Sequence, residues 1–178
     1  MSTPPKAAAA ATAATVAAQA PALVPAAPAP APFKHRNLPL LLLQARESVI
    51  AHFRPVLHRH GVTEQQWRIV RALLERGPLE PRQIVAVCHI SSPSLAGVLA
   101  RMDELGLVSR ERMAHDQRRL TVSLTDRSRA LADSMAPQIE AIYDAIEAHI
   151  GADVISRFYG ALDELVDMLG ELGPRGQA

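Results

Sequence analysis

The chain has 178 residues, 48% of them hydrophobic but only 3% aromatic, with 14 Pro and a formal net charge of +1. That length suits one domain with a real core, alanine inflates the apolar fraction, and so small a net charge decides neither for nor against a nucleic-acid partner. The single Cys88 excludes an internal disulfide framework and fits a reducing, cytoplasmic setting, and no run of about 18 apolar residues occurs to make a membrane span.

In chain order, residues 1–32 are Ala/Pro low complexity ending in PAAPAPAP. Such a segment buries too little apolar area to offset its ordering entropy, so a disordered or extended tail is expected there, with the folded part starting near Phe33. Lys6 and the alanine-threonine run after it are too weakly apolar for the core of a signal peptide. From Leu38 to about His60 the pattern is helical, with Leu42, Val49, Ile50, Phe53, Val56 and Leu57 on a broad stripe. Pro55 is expected to bend or locally break this helix, and Gly61 to end it. Thr63 should cap a second helix, with Gln66 as its capping-box partner and Trp67, Val70, Leu73 and Leu74 facing inward. Gly77-Pro78 stops it.

A short helix is expected from about Pro81 to Cys88. Ser92 is expected to cap the next one, with Pro93 in its first turn, Leu95, Val98, Leu99, Met102 and Leu105 inward, and Gly106 as the terminating C′ residue. The period then changes from helical to two. LVSRERM and LTVSLT alternate apolar and polar residues around the polar stretch AHDQRR, which predicts a β-hairpin. Thr125 should cap a long helix carrying Leu131, Met135, Ile139, Ile142 and Ile146. Gly151 breaks it, and a last helix carries Val154, Ile155, Phe158, Leu162, Leu165, Val166 and Leu169.

The fold class is therefore mainly α with a small β-hairpin wing. Residues 63–125 form a winged helix-turn-helix, residues 33–62 and 126–172 a helical dimerisation region, and residues 173–178 a flexible tail. Charge follows the same division. Residues 33–62 hold five Lys/Arg against one acid, residues 63–125 nine against seven, and residues 126–178 four against ten. A basic front and an acidic rear suit a protein that turns one face to a polyanion.

The chemistry of that face points to double-stranded DNA. The second of the two short helices would enter the major groove, with Ser91, Ser92, Ser94 and Leu95 toward base edges and Gly97 keeping the surface low. Arg118 and Arg119 at the hairpin tip could reach the minor groove, with Asp116 bracing one of them. Arg101, Arg110 and Arg112 are candidate phosphate contacts. The first helix and the last two carry more apolar face than one small domain covers, so a homodimer built from these end segments, reading a pseudo-palindromic operator, is expected.

The segment GLVSRERMAHDQRRLTVSLT resembles the wing of the MarR family, whose pattern is met here by Gly106-Leu107-Val108, by Asp116 with Arg118, and by Val122 with Leu124-Thr125. The resemblance spans roughly residues 36–172. LLLQARESVIAHFRPVLHRHGVTEQQWRIVRALLE and SPSLAGVLARMDELGLV are further similar to regulators of homoprotocatechuate (4-hydroxyphenylacetate) degradation operons. The resemblance implies a repressor of an aromatic-catabolism operon that leaves DNA when a phenolic acid binds between the dimer helices and the winged domain. Pro137 departs from the pattern, with a bearing on dimer geometry. An aromatic carboxylate needs an apolar slot and a cation, for which Arg46, Trp67 and Arg71 are candidates, with Phe53 and His60 as lining.

Two alternatives start from other residues. His52, His58 and His60 lie close in sequence and suggest a metal-responsive regulator, but lack the spacing of a zinc site. Cys88 suggests redox sensing, but has no resolving partner. No cofactor is expected. The sequence holds no GxSxG elbow, phosphate-cradling glycine loop or HExxH pair, so no enzyme is expected either.

Overall fold

A computed structural model describes residues 33–113 and 116–172, giving only the backbone for residues 113, 116–119 and 172. The order is α1 (Leu38–Arg59), α2 (Glu64–Arg76), α3 (Pro81–Cys88), α4 (Ser92–Glu104), β1 (Val108–Met113), β2 (Asp116–Leu124), α5 (Asp126–Ile150) and α6 (Ala152–Leu172). The stretches expected to be tails, 1–32 and 173–178, lie outside the described residues. Among the described residues no single helix is long and apolar enough to cross a membrane.

Local signals set most boundaries. Thr63 Oγ1 accepts the Gln66 backbone N–H at 3.2 Å while Gln66 Oε1 accepts the Thr63 N–H at 2.9 Å, a complete capping box. At the end of α4, Leu107 N–H bonds the Met102 carbonyl and Gly106 N–H the Asp103 carbonyl, each at 2.8 Å, with Gly106 at φ +65°. That is a Schellman ending, which needs a residue tolerant of the left-handed region at C′. Thr125 caps α5, accepting the Ser128 N–H at 3.3 Å and donating its hydroxyl to the Gly106 carbonyl at 2.7 Å, so one side chain fastens both ends of the hairpin.

Three expectations are corrected. α1 runs unbroken through Pro55. Proline there removes the bond to the Ala51 carbonyl and crowds it, but Ala51 is on the exposed side of the helix, where that loss is least costly. Ser91, not Ser92, is the N-cap of α4, and Ser92 and Pro93 open the helix. Leu74 is exposed, because α2 turns Ile69, Val70, Ala72 and Leu73 inward instead.

Two apolar cores meet at the partly buried Trp67 and Leu131. One, built from Ile69, Val70, Ile84, Leu95, Leu99, Met102, Val108 and Val122 among others, lies under α2, α3, α4 and the hairpin. The other joins Phe53, Val56 and Leu57 of α1 to Met135 and Ile139 of α5. The strands pair antiparallel from Val108 opposite Leu124 to Arg112 opposite Leu120, with a register shift between Arg112 and Met113. β2 already begins at Asp116, so backbone expected in the loop belongs to the strand. Leu79, from the α2–α3 connection, exchanges two backbone hydrogen bonds with Val122, at 2.8 and 3.0 Å. This bridge, absent from the sequence-based expectation, ties the base of the wing to the helices.

Candidate nucleic-acid interface and effector site

α3 and α4 meet at 111°, within the roughly 90–120° of a helix-turn-helix. The turn depends on His89, at φ 48° and ψ 46°, the single non-glycine residue among those described with positive φ. Ile90 beside it is buried and pins the turn to the core.

The first turns of α4 present Ser91, Ser92, Pro93, Ser94, Ala96 and Gly97 to solvent. Ser91 Oγ donates to Ser94 Oγ at 2.9 Å, so the two hydroxyls act as one polar pair. Beyond Gly97 nothing lies within 4 Å of where a Cβ would stand. A face of such small residues lets the helix backbone approach a groove floor closely. Leu95, expected among the base contacts, is corrected: at 2% exposure it belongs to the core with Leu99 and Met102, and not to the open side of α4.

The exposed arginines of the interface are held by acids. Arg110 on β1 places Nε and Nη2 at 3.0 and 2.6 Å from Asp103 Oδ2, which fixes the hairpin to α4. Arg101 pairs with Glu104 at 2.9 Å. Exposed pairs of this kind are worth about 0–1 kcal/mol, so exchanging a carboxylate for a phosphate costs little. Arg112 is exposed on the same strand. The side chains of Asp116, Arg118 and Arg119 lie outside the described residues.

The five effector candidates separate into groups. Trp67 and Arg71 lie one turn apart on α2. Phe53 of α1 packs its ring on Tyr143 of α5, centroids 4.9 Å apart and planes tilted by 56°. Burial raises the Tyr143 phenol above its ordinary pKa, the Arg71 guanidinium opposes that rise, and Tyr159 of α6 adds to it. Arg71, Tyr159, Glu140 and Glu75 all act electrostatically on Tyr143, which packs on Phe53, and Trp67 packs against the core that holds Phe53. Tyr143 and Tyr159 were not singled out from the sequence, since each falls beside its helix's apolar stripe and no local pattern pairs it with α2.

Arg46 goes elsewhere, into ion pairs with Glu47 and Glu64. His60 Nε2 lies 3.1 Å from Gln138 Nε2, which ties the end of α1 to α5. A separate groove of about 590 Å³ runs between α1 and α5, floored by Val49, Ile142, Ile146 and Ile150 with Ser48, His52 and His149 at its sides. None of the five candidates lines it.

The residues of the metal and redox alternatives lie apart. His52 faces the groove while His60 bonds Gln138, and among the described residues no three His, Cys, Asp or Glu side chains converge to hold a metal ion. Cys88 is buried, and burial pushes its thiol above the usual pKa against the partial pull of Arg68 and Arg76. The thiolate is the reactive form, so near neutral pH iodoacetamide should alkylate Cys88 at least about tenfold more slowly in the native protein than in the urea-unfolded chain. Mass spectrometry of timed samples checks this.

Comparison with known proteins places this architecture. Residues 60–119 match the MarR family model, from the end of α1 through the reading helix to β2. The chain is 42% identical over 132 residues to the homoprotocatechuate degradative operon repressor of Escherichia coli, covering 74% of this chain and 89% of that protein. It is 37% identical over 136 residues to the HTH-type transcriptional regulator FarR of Neisseria gonorrhoeae, covering 76% and 93%. The crystal structure of NadR in complex with 4-hydroxyphenylacetate superposes with a TM-score of 0.69 at 36% identity, over 77% of this chain and 97% of that one. With the helix-turn-helix angle, the arginine-bearing hairpin and these similarities together, the chain belongs to the MarR family of transcriptional regulators.

Proposed function

We propose that the protein is a homodimeric repressor, not an enzyme, which binds a pseudo-palindromic operator in the cytoplasm and leaves it when an aromatic carboxylate of the hydroxyphenylacetate class binds. The observation that carries the effector assignment is the grouping of Arg71 with Tyr143, Tyr159, Phe53 and Trp67. A hydroxylated aromatic acid needs a flat apolar contact, a phenol partner and a cation, and this group offers all of them. Arg71 is held by Glu75 at 2.8 Å in an exposed i,i+4 pair, worth only about 0.2–0.5 kcal/mol, so an incoming carboxylate displaces Glu75 readily. The names of the similar proteins, one a homoprotocatechuate operon repressor and one a 4-hydroxyphenylacetate complex, agree with that class.

On DNA, α4 lies in the major groove with the hydroxyls of Ser91, Ser92 and Ser94 toward base edges. Arg101, Arg110 and Arg112 take phosphates, and the wing carries Arg118 and Arg119, braced by Asp116, to the flanking minor groove. Arg118→Ala should weaken operator binding by about tenfold at fixed salt, measured by fluorescence anisotropy. Two copies are needed because a single head rarely reaches specific affinity, and the unpartnered apolar faces of α1 and α6 supply the contact.

The test is to select duplexes from a random pool with the purified full chain, then titrate the selected operator complex with hydroxyphenylacetates and benzoates. Release by one of them at micromolar concentration is expected. A selected operator that no member of the panel releases removes the effector assignment. Failure to select any duplex at low ionic strength removes the DNA-binding one.

A further inference from the structure

Outside the effector group, the structure holds a chain of charged contacts that starts on α1 and ends at the turn in front of the reading helix. Glu64, in the first turn of α2, is half-buried and receives Arg46 and Arg54 from α1 and Arg68 from α2, the last at 3.3 Å. Arg54 also holds Glu47 at 2.5 Å, and Arg46 holds it at 2.6 Å, so the α1 side is cross-braced. The Arg54 guanidinium keeps the Glu47 carboxyl below its ordinary pKa, against a smaller effect of burial, so the brace stays charged near neutral pH. On the other side, Arg68 donates Nη1 to the Cys88 carbonyl at 2.8 Å. Cys88 ends α3, and the left-handed His89 follows it directly.

We infer that Glu64 and Arg68 are positioning residues for the reading helix, transmitting the placement of α1 to the α3–α4 turn through the Cys88 carbonyl. The guanidinium of Arg68 is a rigid fork, and here its two ends are occupied by different elements: Nη2 by Glu64 and Nη1 by the last residue of α3. The fork cannot follow Glu64 without drawing on Cys88. Glu64 in turn is held from two turns of α1 at once, since Arg46 and Arg54 both reach it. A shift of α1 along its axis therefore loads the carboxylate unevenly, and among its described ion pairs the one that leads on toward α3 is that with Arg68. Each exposed pair alone is weak, but a network sharing one half-buried carboxylate resists being opened a pair at a time. α1 carries much of the apolar surface assigned above to the second protomer, so the inference rests on that reading only for its consequence, which is that dimer geometry is felt at α4.

Amide hydrogen exchange tests the coupling without DNA or ligand. In the full-length protein, exchange across Cys88–Leu95 is compared among wild type, R68A, the α1 double variant R46A/R54A, and R59A, which removes a different α1 contact, that of Arg59 with Gln138 on α5. Both R68A and R46A/R54A should speed exchange in that segment by about fivefold, with R59A unchanged and the amides of α6 as internal reference. Faster exchange in R68A alone means that α1 is not connected, and overturns the inference. So does no change in either variant, or the same acceleration in R59A, which would mark general loosening. Against a duplex selected by the wild-type chain, R46A/R54A should lose about fivefold in operator affinity while keeping its affinity for random duplex at the same salt. Equal loss on both duplexes points to lost phosphate attraction and contradicts positioning. If selection yields no operator, the DNA-binding assignment fails while the exchange measurement still decides the coupling.

Discussion

The variant carrying Phe158→Glu and Leu169→Glu is expected to be a folded monomer that has lost at least about a thousandfold in operator affinity. The two positions lie on one stripe of α6, eleven residues apart, and are 46% and 55% exposed. No residue of α6 belongs to either buried core, so the winged head and the α1–α5 core should survive the change. Circular dichroism is expected to show unaltered helix content. In the proposed dimer those side chains would be covered, and two carboxylates placed in an apolar contact without partners would cost several kcal/mol on each side of the two-fold axis. The monomer keeps one reading head and so half of the base contacts, while specific binding typically exceeds nonspecific binding by about 10³-fold or more. Sedimentation reads the mass and anisotropy the affinity. A variant that stays dimeric, or a monomer with full affinity, contradicts the arrangement.

Arg71→Ala should abolish the effector response while leaving DNA binding in place. Arg71 is on α2, and its ion-pair partner is Glu75 of the same helix. Its removal takes away the cation for the carboxylate but leaves the apolar contacts of Phe53, Tyr143 and Trp67. In wild type the proposed effector is expected to shift the balance of DNA-competent and incompetent dimers by about 1–3 kcal/mol, or 5–150-fold in operator affinity. In the variant that ratio should fall to near one at the same 4-hydroxyphenylacetate concentration, with ligand-free operator affinity unchanged. A ratio that persists would move the carboxylate to another cation. Arg46 is poorly placed for that role, since its guanidinium is already shared between Glu47 and Glu64.

Much of this was legible in the residue order because the signals are local. Thr63 with Gln66, and Gly106 followed by Leu107, declare a helix start and a helix end within four residues, and both occur with the expected bonds. The wing was readable from a change of period from helical to two. The cap of α4 was misplaced by one residue because Ser91 and Ser92 are chemically alike. The choice was made by His89 in the left-handed region and by Ile90 entering the core, neither of which a serine pair announces. Leu95 was placed on DNA by its nearness to the helix start, although its side chain turns with the buried stripe of Leu99 and Met102.

The rest depends on contacts between distant segments. Phe53 and Tyr143 meet across ninety residues of chain, and Leu79 pairs with Val122 across forty-three. Arg46 is a candidate cation for the effector by residue type alone, and α2 brings Glu64 beside it. Periodicity tells which side of a helix faces inward. It does not tell which charge on the next helix waits there.

The most direct test of the paired reading head is a hydroxyl-radical footprint of the wild-type protein on a duplex it has selected. Two protected windows are expected, centred about one helical turn or a multiple of it apart, each flanked by a protected minor groove where a wing enters. One window, or uniform protection without a centre of symmetry, would contradict a dimer that presents α4 and its hairpin twice.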